Sequence, residues 1–391
     1  MKKRILRYFK HLFFTTLVLI TIGIIIVISL NGSIGYGDND LKKTLHNEGP
    51  YVFFKNDSTY TINYIKGNKN DGFYVDSKEL KTNYSPEVKT YFTLDSTYFG
   101  FKLKDNFDTQ KSSYSDSNKI LAISDIESGY KAFRDFLISN KVIDKNLNWT
   151  FGKNHLVLVG DFVDRGFSTT QVLWFIYKLE QEAQKQGGIV HFILGNHELK
   201  NLHGNYSSAS LKYKAVAGIL EVQQHELYNS NSFFGKWLSS KNSIEKINGH
   251  LFVHGGLHPD ISNYNLTLSE INQIARNNYF KTYYPKKDAP ESEDFLTSNK
   301  TGISWYRGYF KDNLSIDDID KGLKKFNAKS VIVGHTIQRK IKKLYNGKVF
   351  AIDVKHPKDY QRNWPNKKSE GLLIDNNNYY RVFSDGSQQK L

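Results

Sequence analysis

The chain has no cysteine, and that one absence rules out disulfides, thiolate metal ligands and a cysteine nucleophile together. It is compatible with an oxidising compartment without demonstrating one. Beyond the N-terminus there is no long block of lysine or arginine, although 54 Lys and Arg against 39 Asp and Glu leave a net charge of +15 over 391 residues. The excess is spread through a chain rich in Lys, Asn, Ile and Tyr. It therefore reads as compositional bias rather than a nucleic-acid patch, and nucleic acid is not an expected partner. No internal repeat is present. A hydrophobic content of 39% is enough to bury the core of one large or two ordinary domains.

The N-terminus is informative. Lys2, Lys3, Arg4, Arg7 and Lys10 precede an uncharged run at 12–30. At helical rise this run reaches about 28 Å, close to the hydrocarbon thickness of a bilayer. The exit, Ser29-Leu30-Asn31-Gly32-Ser33, lacks the Ala-x-Ala pattern of a cleaved signal. The expectation is a basic cytoplasmic tail at 1–11 and an uncleaved single-pass signal-anchor at 12–30, in contact with the lipid bilayer. The rest of the chain then lies outside the cytoplasm, periplasmic or extracellular. Secretion after signal cleavage is the alternative. A polar linker follows at 31–48. Residues 49–118 are rich in Tyr, Phe, Val, Ile and Thr, broken by turn clusters, and read as short antiparallel strands.

From 119 onward the pattern becomes strand, loop, helix. Five short apolar runs each end in a cluster of polar or small residues. Ile120-Leu121-Ala122-Ile123 leads to Ser124-Asp125-Ile126-Glu127. Leu156-Val157-Leu158-Val159 leads to Gly160-Asp161-Phe162-Val163-Asp164-Arg165-Gly166. Val190 to Leu194 leads to Gly195-Asn196-His197-Glu198, Leu251-Phe252-Val253 to His254-Gly255-Gly256, and Val331-Ile332-Val333 to Gly334-His335-Thr336. The ligand-bearing ends are expected to gather at one edge of a sheet. Helices are expected at 130–140 and 168–186, the second capped by Ser168, with a mostly helical stretch at 199–243. Hairpins are expected around Asn346-Gly347 and around 375–378.

Two divalent ions held close together need a shared carboxylate and separate ligands on either side. Asp161 is the natural bridge and Asp125 a ligand of the first ion. Asn196, His254 and His335 offer amide oxygen and imidazole to the second. Such a set suits manganese, iron, zinc or magnesium and does not choose among them. Arg165 would turn its fork toward phosphate oxygens, with Arg307 in Ser304-Trp305-Tyr306-Arg307-Gly308 a second clamp. His197 would stand beside the leaving-group oxygen as an acid, held protonated by Asp164.

These blocks resemble the calcineurin-like metallophosphoesterases, in the phosphoprotein-phosphatase-like branch and closer to its bacterial members. The similarity covers roughly 119–355. It implies an α/β fold of two packed mixed β-sheets flanked by helices (a four-layer αββα arrangement) for a metallophosphoesterase domain at 119–391, behind the transmembrane helix and the β-rich segment. It also implies a phosphatase that hydrolyses phosphate esters with a hydroxide activated by two metal ions. Asp125, Asp161, Asn196, His254 and His335 fall on the metal ligands, His197 on the proton donor, Asp164 on its partner, and Arg165 and Arg307 on the phosphate clamp. The family usually has Asp-x-His in the first block, where this chain has Asp125-Ile126-Glu127. Glutamate has about the reach of imidazole, so Glu127 is expected as a ligand, which favours harder ions and manganese in particular. Leu194 stands where eukaryotic protein phosphatases carry arginine, and no Ser-Ala-Pro-Asn-Tyr loop follows His335. The substrate is a phosphorylated small molecule or protein. A phosphoanhydride or nucleotide hydrolase with the same centre is one alternative, and a non-catalytic phospholigand-binding protein is the other.

Overall fold

The computed structural model describes residues 2–30, 34–36, 44–285, 287–288, 290–365 and 367–391. Of the linker expected at 31–48, residues 31–33 and 37–43 lie outside the described residues. The chain divides into two compact units, one of residues 1–39 with 360–367, the other of 40–359 with 368–391. In the first, helix α1 (Lys2–Ser29) buries none of its residues and is long and apolar enough to cross a membrane. The short strand Ile34–Tyr36 pairs antiparallel with Arg362–Trp364.

In the second unit the apolar runs form two six-stranded mixed sheets. The first is ordered Ile189–Ile193, His155–Val159, Ile120–Ile123, Glu370–Asp375, Asn378–Phe383, Gln388–Lys390. Its first three strands run parallel, and its last three are antiparallel hairpins. The second sheet is ordered Lys342–Leu344, Val349–Ala351, Ser330–Val333, His250–Val253, Ile244–Ile247, Ser113–Tyr114. The five ligand-bearing strands are therefore shared between two sheets rather than lined up in one. Alternation within each strand explains the packing. Ile120, Ala122, Val157, Val159 and Ile193 point at Phe252, Ile332 and Phe350 across the gap between the sheets. The intervening residues are fully buried too, because helices cover the outer faces.

Those helices follow from the sequence stripes. Helix α2 (Tyr130–Ser139) brings Phe133 against Phe162, and Phe162 against Phe192. Helix α3 (Thr169–Lys185) covers the strand Ile189–Ile193. Ser168 occupies its N-cap position, but its hydroxyl bonds Asp359 instead of the helix. Helices α4 (Asn196–Leu202), α5 (Leu211–Ile219) and α6 (Phe233–Ser239) fill the stretch read as helical. Helices α7 (Leu268–Asn278), α8 (Glu291–Thr297), α9 (Gly308–Lys311) and α10 (Ile316–Lys325) follow. Ile271, Leu296, Ile319 and Leu323 from this group pack on Leu251, Val253, Val331 and Val333 of the second sheet.

The β-rich segment forms a three-stranded antiparallel sheet, Glu48–Asn56, Thr59–Asn68 and Gly72–Lys81, and a hairpin, Glu87–Phe92 with Thr97–Lys102. It packs on α3: Phe101 stacks on Trp174, Phe99 meets Phe175, and Trp174 Nε1 donates to Pro50 O at 2.9 Å. Glu48, at the first strand, is buried against Lys212 of α5 at 2.9 Å.

Candidate functional site

Except for Arg307, which stands at the N-cap of α9, each site residue sits just past a strand end, where the backbone turns sharply. Asp125, Glu127, Asp161, Asp164, Arg165 and His335 all have φ between 47° and 69°. Non-glycine residues enter this left-handed region at a cost of roughly 1–2 kcal/mol each, so a run of them marks loops held in place by their surroundings. Two glycines make the loops fit. A Cβ on Gly160 would lie 2.6 Å from both Gly195 Cα and His254 Nδ1, and one on Gly195 would lie 2.3 Å from Asp161 Oδ1. Glu198 ties the same loops together. Its buried carboxylate accepts N–H bonds from Gly195, Asp161, Phe162 and Val163 at 2.8–3.3 Å.

The structure brings Asp161, His254 and His335 together, with one potential ligand atom from each within 4.8 Å of the others. His254 Nδ1 donates to Val159 O at 2.7 Å, which turns Nε2 inward to 3.2 Å from both Asp161 Oδ2 and Asn196 Oδ1. His335 Nε2 donates to Trp305 O at 3.0 Å, and its Nδ1 faces Arg307, whose Nη2 lies 3.3 Å away. Backbone carbonyls fixing the far nitrogen are how metal-binding histidines are oriented. Asp125 joins through Oδ2, which accepts the His335 N–H at 3.2 Å.

The electrostatics suit a cation. Burial opposes ionisation of Asp161, but His254 and His197 hold its carboxyl well below the usual range. Burial alone would keep His254 neutral, yet Asp161 and then Asp125 push it up to about 10. His335 is pushed down to about 2, first by burial and then by His254 and Arg307. Asp125 is raised by burial and by Asp353. Asp353, raised to about 7 by burial and then by Glu127 and Asp161 against the pull of His254, was not given a role from sequence. Its signal was there, since it follows the strand Val349–Ala351 by two residues. Buried carboxylates crowded with imidazoles that share one positive charge form a donor set that fits divalent ions.

Beside this cluster, His197 Nδ1 donates to Asp164 Oδ2 at 2.8 Å, and Asn201 Nδ2 braces the other Asp164 oxygen at 2.8 Å. The His197 backbone N–H bonds Asp161 Oδ1 at 2.9 Å, and Arg165 Nη2 reaches its Nε2 at 3.2 Å. Arg307 is held by the His335 carbonyl and by Thr336 Oγ1. Glu127 does not join the cluster. One of its oxygens pairs with Arg165 and the other with Lys358 at 3.2 Å, so the structure directs both toward cations outside the Asp161–His254–His335 group. A cavity of about 650 Å³ opens over Asn196, His197, His335, Arg165 and Arg307.

Residues 118–339 match the calcineurin-like phosphoesterase family. The crystal structure of a cold-active protein-tyrosine phosphatase from a psychrophilic Shewanella species superposes with a TM-score of 0.76 and 31% identity, over 88% of this chain and 99% of that one. That coverage exceeds what 119–391 alone could supply, so the likeness extends into the β-rich segment, beyond the limits expected from sequence. Shewanella-like protein phosphatase 1 of Plasmodium berghei is 30% identical over 61% of this chain and 67% of its own length. A symmetrical bis(5'-nucleosyl)-tetraphosphatase of Buchnera aphidicola is 30% identical over 32% and 35%. With the matched family and these relatives sharing its folded unit, the chain belongs to the calcineurin-like phosphoesterases and is a metal-dependent phosphatase.

Proposed function

We propose that this phosphatase hydrolyses phosphate monoesters with two divalent ions held by Asp125, Asp161, Asn196, His254 and His335, and with His197 as the proton donor. The observation that carries this reading is the His197–Asp164 pair, 2.8 Å apart and buried at the rim of the carboxylate–imidazole cluster. A protein that only binds a phosphorylated ligand has no use for a positioned acid. Bound ions supply an acidified water and a Lewis-acid grip on the phosphoryl oxygens. The chain's own residues do the rest. Arg165 and Arg307 face the phosphate from two sides of the cavity, and Asp164 keeps the His197 ring turned so that Nε2 meets the leaving oxygen. Asp161 and Asp125 fix the charge of the centre. Glu127 acts through Arg165, orienting its guanidinium, and stays out of the ligand set. Oxygen donors and imidazole without thiolate suit manganese, iron, zinc or magnesium alike, and manganese is the ion supplied in the test below.

The protein-phosphatase names of the Shewanella and Plasmodium relatives support a phosphorylated protein as substrate, in preference to a nucleotide. Helix α1 supports a single-pass tether with the catalytic unit outside the cytoplasm, since its basic flank favours the cytoplasmic side. A reporter fused after Leu391 that is active only when exported checks the orientation. The enzymatic reading is tested with the full chain in detergent. Turnover of p-nitrophenyl phosphate and a phosphotyrosine peptide should appear with manganese and vanish on chelation, while preferential cleavage of dinucleoside polyphosphates would shift the reading to an anhydride hydrolase.

A further inference from the structure

The cavity over the centre is larger and more basic than a single phosphoryl group requires. Its floor already offers Arg165 and Arg307. Its remaining walls carry Lys200, Lys300 and Lys311, from α4, the loop after α8, and the end of α9. Among the described residues none of these three lysines is ion-paired to a carboxylate. Lys200 Nζ reaches Ser208 Oγ at 3.3 Å and lies 5.6 Å from the centre of the Trp305 ring, and Lys300 and Lys311 are exposed. The lining contains one carboxylate, Asp312, and that accepts the Tyr306 hydroxyl at 3.3 Å. Lysines on a basic chain are ordinarily solvated singly. Three of them converging from separate elements on one concavity, with a single acid among them, focus positive potential there.

We propose that Lys200, Lys300 and Lys311 form a second anion subsite, which selects phosphopeptides carrying carboxylates next to the phosphorylated residue. This rests on the reading of the centre as a phosphoesterase. The scissile phosphate lies between the arginines and the metal-ligand cluster, and the flanking acidic side chains extend along the cavity to the lysines. Trp305 lines the same cavity and carries Lys200 over its ring. The subsite changes which substrate is held and leaves proton transfer to His197.

The test compares kcat/KM for two phosphotyrosine peptides of one sequence, flanked in one by Glu and in the other by Gln, with p-nitrophenyl phosphate as reference. Exposed ion pairs are individually weak, so two or three together give the acidic peptide an advantage of about fivefold to tenfold at low ionic strength. The advantage resides in KM and fades as salt shortens the Debye length. The double variant Lys300→Gln/Lys311→Gln, at exposed positions that burden the fold little, brings the ratio toward one. Adding Lys200→Gln brings it there fully. Equal kcat/KM for the two peptides, with p-nitrophenyl phosphate turned over, overturns the subsite and leaves the phosphoesterase reading intact. So does a ratio the lysine variants do not move. No turnover of any of the three substrates overturns both.

Discussion

His197 and Glu127 show how far single side chains were legible in the sequence. The first was, because Asp164 and His197 both lie in strand-end blocks whose order fixes their approach. The structure sets them 2.8 Å apart with the ring braced through Asn201. Replacing His197 by Ala removes the acid and none of the cluster formed by Asp161, His254 and His335. Metal content should therefore persist, while kcat for an alkyl phosphate falls by roughly a hundredfold or more. With p-nitrophenyl phosphate, whose leaving group needs little protonation, the loss should be much smaller, and an equal loss for both would remove His197 from that role. Glu127 is where the sequence says least about its surroundings. Reach alone allowed it a place in the ligand set, but Lys358, distant in sequence, and Arg165 claim both of its oxygens. Glu127→Gln should accordingly leave metal content unchanged and raise KM for a phosphate ester about threefold to tenfold, as the guanidinium loses its charged anchor. Loss of bound metal in that variant, measured by elemental analysis, would return Glu127 to the ligands.

At the scale of elements, the strands were the most readable part, since short apolar runs ending in Gly, Asp or Asn allow little else. Two packed sheets were expected and are found, but which strand joins which sheet was not readable. A run such as Val331-Ile332-Val333, buried on both faces, carries no mark of which sheet it joins. The hairpin around Asn346-Gly347 appears where its turn residues place it, with Lys342–Leu344 against Val349–Ala351. What binds the elements into a site is Glu198, directly after Asn196 and His197. Its side chain closes four backbone N–H groups from the loops after two parallel strands. Buried donors left unpaired cost about 1–3 kcal/mol each. Glu198→Ala should therefore destabilise the fold by about 3 kcal/mol or more, visible in chemical denaturation, and should loosen metal binding at the same time. A Tm within a degree of wild type would show that the loops hold their shape without it.

For the whole molecule, Lys200, Lys300 and Lys311 line one cavity with Arg165 and Arg307, a convergence that composition alone could not reveal because the lysines come from separate segments. The buried histidines set a second global property. Burial holds His250 and His356 down to about 4 from an ordinary 6.5. An unfolded chain takes up protons there below pH 6.5 that the folded chain refuses until about 4, so stability is whole above 6.5 and is lost as pH falls through that window. Asp359, pushed up to about 6 by burial, works the other way, because the folded state keeps a proton that the unfolded chain sheds above 3.8. Two imidazoles outweigh one carboxyl between pH 4 and 6. Leaving aside the metal cluster, whose protonation its ions set, Tm should fall as pH drops from 6.5 toward 4, and His250→Gln should flatten that slope in a thermal scan. The metal centre underlies the activity, and it is tested most directly by the metal content of the full chain in detergent, measured by elemental analysis beside turnover of p-nitrophenyl phosphate, for the wild type and for Asp161→Asn. The wild type should hold two divalent ions per chain and show activity that disappears with chelation and returns with manganese, and Asp161→Asn should lose both ions and activity. A metal-free chain that hydrolyses the ester equally well, or an Asp161→Asn variant that keeps its ions and its rate, would contradict these expectations.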